Sequence, residues 1–181
     1  FIMEIIFMHY ANIKAADSAN GIGVRVTLFV SGCTNHCKGC FQPQTWVPNV
    51  GMACTHVFEV YIIEELKEPC HGGRLTILGG DPFELYNQGA VFSLLERVVK
   101  ELPKKNIWIY TGYLYEDLIS EDWVNHTIWT KSILDFADVI VDGPFILSQK
   151  DLRLRLCGSR NQRIIDMNKT RKSGELTIWK G

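Results

Sequence analysis

Four short apolar runs in this chain each stop at a glycine-bearing loop. Val24 to Val30 leads into Ser31-Gly32-Cys33, and Leu75 to Leu78 into Gly79-Gly80-Asp81. Ile107 to Tyr110 leads into Thr111-Gly112-Tyr113, and Asp138 to Asp142 into Gly143-Pro144. Helical spacing separates them. It is clearest where Val91, Leu94, Leu95, Val98 and Leu102 share one face before Pro103 breaks the pattern. Further helices are expected from His56 to Glu68, Tyr115 to Val124 and Ser132 to Phe136, and a last short strand over Leu176 to Trp179. Strands that alternate with helices form a mainly parallel α/β sheet. Ligands of such sheets bind at the carboxyl ends of the strands. The four glycine loops are therefore expected on one rim. A closed eight-fold barrel needs about 250 residues, more than the 181 present. The expected architecture is a single domain over residues 1–181, an open partial (β/α) barrel.

Composition narrows the function classes. Apolar residues make up 46% and charged residues 22%, which is ordinary for a globular protein. The formal net charge of −1 provides no global field for nucleic acid or acidic lipid. Basic residues do gather locally, at Arg153, Arg155, Arg160 and Arg163 and again at Lys169, Arg171 and Lys172. The apolar start, Phe1 to Met8, is too short for a membrane span, which needs about twenty residues. It also lacks the positive leading region of a secretory signal. Phe1 is not a start residue, so Met3 or Met8 is the expected beginning. No membrane partner, no nucleic acid and a cytoplasmic location are expected. Six cysteines would permit disulfides by parity. A tight cysteine cluster in a chain with no secretion signal argues instead for metal binding in a reducing compartment.

That cluster is Cys33-Thr34-Asn35-His36-Cys37-Lys38-Gly39-Cys40, a C-x-x-x-C-x-x-C loop directly after the first apolar run. It supplies three thiolates. A structural zinc site is closed by four ligands, and an ordinary iron–sulfur cube is held by four cysteines. Three cysteines on a four-iron cube leave one iron open to a substrate or cofactor. The alternative is a Cys3His zinc site using His36. Zinc sites more often pair two C-x-x-C units, and no second unit is present. His36 would also be strained beside its neighbour Cys37, so it is expected exposed or outside the ligand set. Cys54 and Cys70 have histidines nearby, His56 and His71, and a second metal site is conceivable there. The simpler reading is that they are incidental thiols behaving as small hydrophobes.

The cysteine loop resembles that of the radical S-adenosylmethionine (SAM) enzymes. Leu78-Gly79-Gly80-Asp81-Pro82 is similar to the family's G-G-[ED]-P segment, although the same residues also make a good turn. Gly39, with the aromatic Phe41 just after the third cysteine, resembles the activating enzymes of anaerobic ribonucleoside-triphosphate reductase. So do Ile109 to Tyr113, Val141 to Phe145, and Cys157 to Ile164, which is similar to an R-G-S-S-N-Q segment. Two positions of that last segment depart. Cys157 stands where an arginine is common and Arg160 where a serine is common, so Arg155 or Arg160 would have to substitute. Asn20-Gly21-Ile22-Gly23 replaces the usual N-G-P-G and loses rigidity. The resemblance runs from about Tyr10 to about Ile165.

The resemblance implies a 4Fe-4S cluster held by Cys33, Cys37 and Cys40, whose open iron binds the methionine moiety of SAM. One electron then cleaves the sulfonium, and the 5′-deoxyadenosyl radical abstracts a hydrogen from the substrate. Gly39, Cys40 and Phe41 would contact the adenine. Gly79, Gly80 and Asp81 would meet the methionine ammonium with backbone oxygens and a carboxylate. Thr111 would bond SAM, and a turn with aromatic packing is an equal reading of that segment. Asp142 would orient rim groups without a catalytic role. The implied partners are the large subunit of anaerobic ribonucleotide reductase, a flavodoxin-type reductant and a second copy in a homodimer. Basic residues at Arg153 to Arg163 would help dock the protein substrate. Three other readings stand beside this one. They are a small-molecule radical SAM enzyme like 7-carboxy-7-deazaguanine synthase, a pyruvate formate-lyase type activase, and a metal-stabilised binding module.

Overall fold

A computed structural model describes residues 8–181. The expected start at Met3 lies outside them. In chain order the elements are β1 (His9–Asp17), β2 (Arg25–Val30), β3 (Met52–Ala53), α1 (His56–Lys67), β4 (Arg74–Gly79) and α2 (Leu85–Glu101). There follow β5 (Asn106–Tyr110), α3 (Tyr115–Leu118), α4 (Thr130–Phe136), β6 (Val139–Asp142), β7 (Arg163–Asp166) and α5 (Met167–Ser173). The strands form one seven-stranded mixed sheet in the order β3-β1-β2-β4-β5-β6-β7. Its centre, β2-β4-β5-β6, is parallel, while β1, β3 and β7 pair antiparallel. The sheet is open, with β3 and β7 as its ends. All four glycine loops leave parallel strands and so share one rim, as the sequence predicts. Among the described residues no helix is long and apolar enough to cross a membrane.

The period-two alternation of the strands sorts two faces. Val26, Leu28, Val30, Leu75, Ile77, Ile107, Ile109 and Ile140 pack in the main core with Phe58, Ile62, Ile63 and Leu66 of α1 and Val91, Leu94, Leu95 and Val98 of α2. Each such side chain contributes about 1.5–3 kcal/mol on burial. Thr55 caps α1 by accepting the N–H of Phe58. The opposite face is more polar. Its central row is Thr27, Thr76, Trp108 and Val139, paired strand to strand. Trp108, Val139 and Val141 form a second, smaller core there with Leu156, Cys157, Ile164 and Trp179.

Arg25 closes the lower end of this polar face. It is fully buried, and all five of its N–H groups are used. Nε donates to Thr76 Oγ1 (2.6 Å), Nη1 to Ile22 O and Asn106 Oδ1, and Nη2 to Leu75 O and Asn106 O. The guanidinium also lies 5.3 Å from the Trp108 ring centroid. Burial lowers its pKa to about 10, so it stays charged at neutral pH.

Two expected elements differ. The helix expected over Tyr115 to Val124 ends at Leu118. Beyond it Ile119 and Val124 face solvent, leaving no apolar stripe to bury, and Ser120 and Asp122 favour turns over helix. The strand expected over Leu176 to Trp179 is a single isolated bridge between Ile165 and Ile178. The last strand is Arg163–Asp166, too short to show a period. β1 carries a half-exposed edge pattern rich in Ala, Asn and Lys, which have low strand propensity.

Replacing Arg25 by methionine leaves several buried acceptors without donors. Arg25→Met is expected to cost about 3 kcal/mol, seen as a lower denaturation midpoint at unchanged urea dependence. A cost below measurement error would show that the buried guanidinium does not hold the strands together.

Candidate functional site: the three-cysteine rim

β2 and β4 pair in parallel as far as Val30 and Gly79. Their loops continue the pairing past the sheet. Gly80 N–H donates to Val30 O (2.7 Å) and Asp81 N–H to Gly32 O (2.7 Å). A Cβ on Gly80 would lie 2.2 Å from Gly32 O, so only glycine permits this approach. The cysteine loop then closes on its own far end. Gly32 N–H donates to Thr45 O (2.6 Å), Cys33 N–H to Trp46 O (3.1 Å) and Cys40 N–H to Cys37 O (3.0 Å). His36 is exposed and lies against Trp46, with ring centroids 4.8 Å apart.

Two buried carboxylates hold the loops from below. Asp81 accepts from Thr111 Oγ1 (2.9 and 3.0 Å), the N–H groups of Gly112 (2.8 Å) and Phe83 (3.0 Å), and Asn35 Nδ2 (3.2 Å). Burial pushes its carboxyl up to about 7, opposed by these donors. Glu84 Oε1 accepts from the N–H (2.6 Å) and hydroxyl (2.8 Å) of Thr34 and from the hydroxyl of Tyr113 (2.9 Å). Asn125 Nδ2 donates to the same Tyr113 oxygen (2.8 Å). Burial, with Asp81 next, pushes the Cys33 thiol up to about 12. Burial also raises Cys37.

Above them lies a cavity of about 520 Å³. Cys33, Cys37, Cys40, Gly39, Phe41, Gly79, Gly80, Asp81 and Thr111 all line it. The structure thus brings every sequence-derived site residue to one space. Phe41 stands at the mouth, 79% exposed. Asp81 faces the cavity, but its carboxylate is already engaged by the loops. The opposite wall includes Tyr110, Cys157 and a hairpin of residues 150–159 that carries Leu152, Leu154 and Leu156. Asn161 donates to Pro144 O (2.7 Å) and Gln162 to Gly143 O (3.0 Å), fastening this wall to the fourth glycine loop. Arg155 and Arg160 are exposed and do not line the cavity. Arg160 pairs with Asp151. Asp142 is buried against Arg163, which also pairs with Glu116 (2.6 Å). Cys54 packs against the main core, and burial pushes its thiol up to about 12. Cys70 is exposed.

The donor set fits an iron–sulfur cluster. Three thiols open on one cavity from one loop. Among the described residues no three His, Cys, Asp or Glu side chains converge as ligands of a single ion would. Three thiols from one loop suit three corners of a cluster and leave the fourth without a protein ligand, whereas a structural zinc ion is closed by four ligands. The rest of the cavity fits an organic cofactor. Its walls are largely apolar, and Tyr110 contributes a buried hydroxyl with no hydrogen-bond partner. Glu84 escapes a reading of the sequence, and Tyr110 and Tyr113 lie in a segment it singles out without receiving a role of their own. Glu84 looks like an ordinary residue at a helix start, and Tyr110 like one more residue of a strand.

The fold and the site together define a protein built on a single cluster domain. The family described as the 4Fe-4S single cluster domain matches residues 19–165. Curated relatives specify it further. The chain is 40% identical to the anaerobic ribonucleoside-triphosphate reductase-activating protein of Vibrio cholerae and 38% to that of Haemophilus influenzae. Each match spans 156 residues, 86% of this chain and 96% of the relative. It is 35% identical to the protein of the same name from Enterobacteria phage T4, over 87% of this chain and 93% of the relative. The chain belongs to the family of anaerobic ribonucleoside-triphosphate reductase-activating proteins.

Two predictions follow from the charges at this rim. Asp81→Asn turns an N–H2 toward donors that now meet a carboxylate, and is expected to cost about 2 kcal/mol and to lower iron uptake on reconstitution. Unchanged iron per chain would contradict the tying role. Hydrogen bonds from Arg163 hold Glu116 down at about 2. Its contribution to stability is present above the ordinary carboxylate value, about 4.3, and is lost as pH falls through about 2. In an NMR titration Arg163→Gln is expected to return Glu116 toward the ordinary value; an unmoved midpoint would contradict the pairing.

Proposed function

We propose that this chain is a radical SAM activating enzyme that places a glycyl radical on the large subunit of anaerobic ribonucleoside-triphosphate reductase. The observation that carries the reading is that three thiols of one loop open on the same cavity as the glycine loops of the neighbouring strands. In this reading Cys33, Cys37 and Cys40 hold three irons of a 4Fe-4S cluster. When bound, the cluster and SAM supply a one-electron cleavage that removes a hydrogen from the partner's glycine. The protein's own part is placement. Gly79 and Gly80 offer backbone carbonyls to the ammonium of SAM, and Asp81 adds negative charge while fixing the Thr111 and Asn35 loops. Gly39, Cys40 and Phe41 contact the adenine, and Thr111 contacts SAM from the third loop.

The chain acts as one domain over residues 1–181, with its sheet working as an open partial barrel. A protein substrate can cover an open rim and exclude water, so few further elements are needed. Phe41 and Leu152, 79% and 90% exposed, stand beside the mouth with Arg153 and Arg155 near them. This mixture suits a protein surface, where aromatic and arginine side chains are enriched. A flavodoxin-type reductant, a homodimer and a cytoplasmic setting complete the proposal. They rest on the resemblance to the family.

The test is to incubate reconstituted, reduced protein anaerobically with SAM and the reductase large subunit. Electron paramagnetic resonance (EPR) is expected to show a glycyl radical, with 5′-deoxyadenosine as co-product. Alanine at Cys33, Cys37 or Cys40 is expected to reduce both to background, and alanine at Cys70 to leave both unchanged. 5′-Deoxyadenosine without any radical on the reductase would point to another substrate. Undiminished radical yield in the three variants would overturn the site.

A further inference from the structure

Glu84 sits at the start of the 17-residue helix α2, only 2% exposed, yet it caps nothing in its own helix. A short polar side chain at that position, such as Asp or Ser, ordinarily accepts an N–H of the first turn. Here the carboxylate turns toward the cysteine loop. Its Oε1 takes the N–H of Thr34, the residue after Cys33, at 2.6 Å. It takes the Thr34 hydroxyl at 2.8 Å and the Tyr113 hydroxyl at 2.9 Å. All three donors are neutral, so they fix the negative charge without cancelling it. The result is a fixed buried charge one residue from the first cluster ligand.

Two physical effects then act in one direction. Hydrogen bonds to cluster sulfurs raise the reduction potential, and nearby negative charge lowers it. The Thr34 N–H, placed at the edge of the ligand loop, is committed to Glu84 and withdrawn from any sulfur. The carboxylate itself opposes the extra negative charge of a reduced cluster, an effect strengthened by the low local dielectric. We propose that Glu84 is a positioning residue that lowers the reduction potential of the cluster held by Cys33, Cys37 and Cys40. A lower potential makes the reduced cluster a stronger one-electron donor. The inference rests on the reading that this loop holds a cluster.

Glu84→Gln separates charge from shape. Glutamine keeps an oxygen acceptor for Thr34 and removes the charge. The experiment is an EPR-monitored redox titration of the reconstituted full chain, wild type against E84Q, with iron counted per chain and the thermal midpoint of each apoprotein recorded. The expected result is equal iron, a similar thermal midpoint, and a reduction potential shifted upward in E84Q. Equal iron with an unmoved potential overturns the proposal. Loss of iron from E84Q while the wild type loads assigns Glu84 to the shape of the loop, and also overturns it. A wild type that loads no cluster fails the underlying functional reading instead, which keeps the two failures distinct.

Discussion

Two backbone hydrogen bonds, Gly80 N–H to Val30 O and Asp81 N–H to Gly32 O, carry the pairing of β2 and β4 past the end of the sheet. They press a loop of thiols against a loop of bare backbone. The contact tolerates no side chain, because a Cβ on Gly79 or Gly80 would meet the backbone of residues 29–32 at less than 3 Å. The positive φ of Gly32, 92°, turns the chain at once from strand into ligand loop. The rim is therefore set by backbone geometry first. The side chains of Asp81, Glu84 and Asn87 secure it afterwards. Asn87 bridges the two loops by donating to both Ser31 O and Asp81 O.

The same contact concentrates negative charge. Asp81 and Glu84 lie three residues apart in sequence and hold neighbouring residues of the cysteine loop, one through Asn35 and the other through Thr34. Burial, and after it this charge, disfavours the Cys33 thiolate. A metal bound at Cys33 would reverse that preference, because a coordinating thiol is deprotonated outright. Loading a cluster on this loop would then release protons. The buried positive charge, Arg25, is kept at the other end of the polar face and satisfied by neutral partners, so it does not cancel the acidic rim.

Much of this was legible in the chain. The runs ending in Gly32, Gly79, Thr111-Gly112 and Gly143 announce strands with loops on one rim, because buried parallel strands are short, apolar and closed by residues that turn. The cysteine spacing announces its own chemistry, and the nine residues assigned to the site share one cavity. What stayed hidden is what depends on long-range partners. β7 is recognisable only through its pairing with β6. The early end of α3 follows from the lack of a surface to cover Ile119 and Val124. Glu84 is ordinary until Thr34 and Tyr113, fifty and twenty-nine residues away in sequence, are seen against it. The burial of Arg25, inside an apolar run, is explained only when its five acceptors are found.

The central claim is that three cysteines hold a cluster whose remaining iron is open to SAM. It is tested most directly by an EPR spectrum of the anaerobically reconstituted, reduced protein, taken with and without SAM. A cluster signal that changes when SAM is added is the predicted result. A protein that binds zinc in place of iron, or a cluster signal indifferent to SAM, would contradict it.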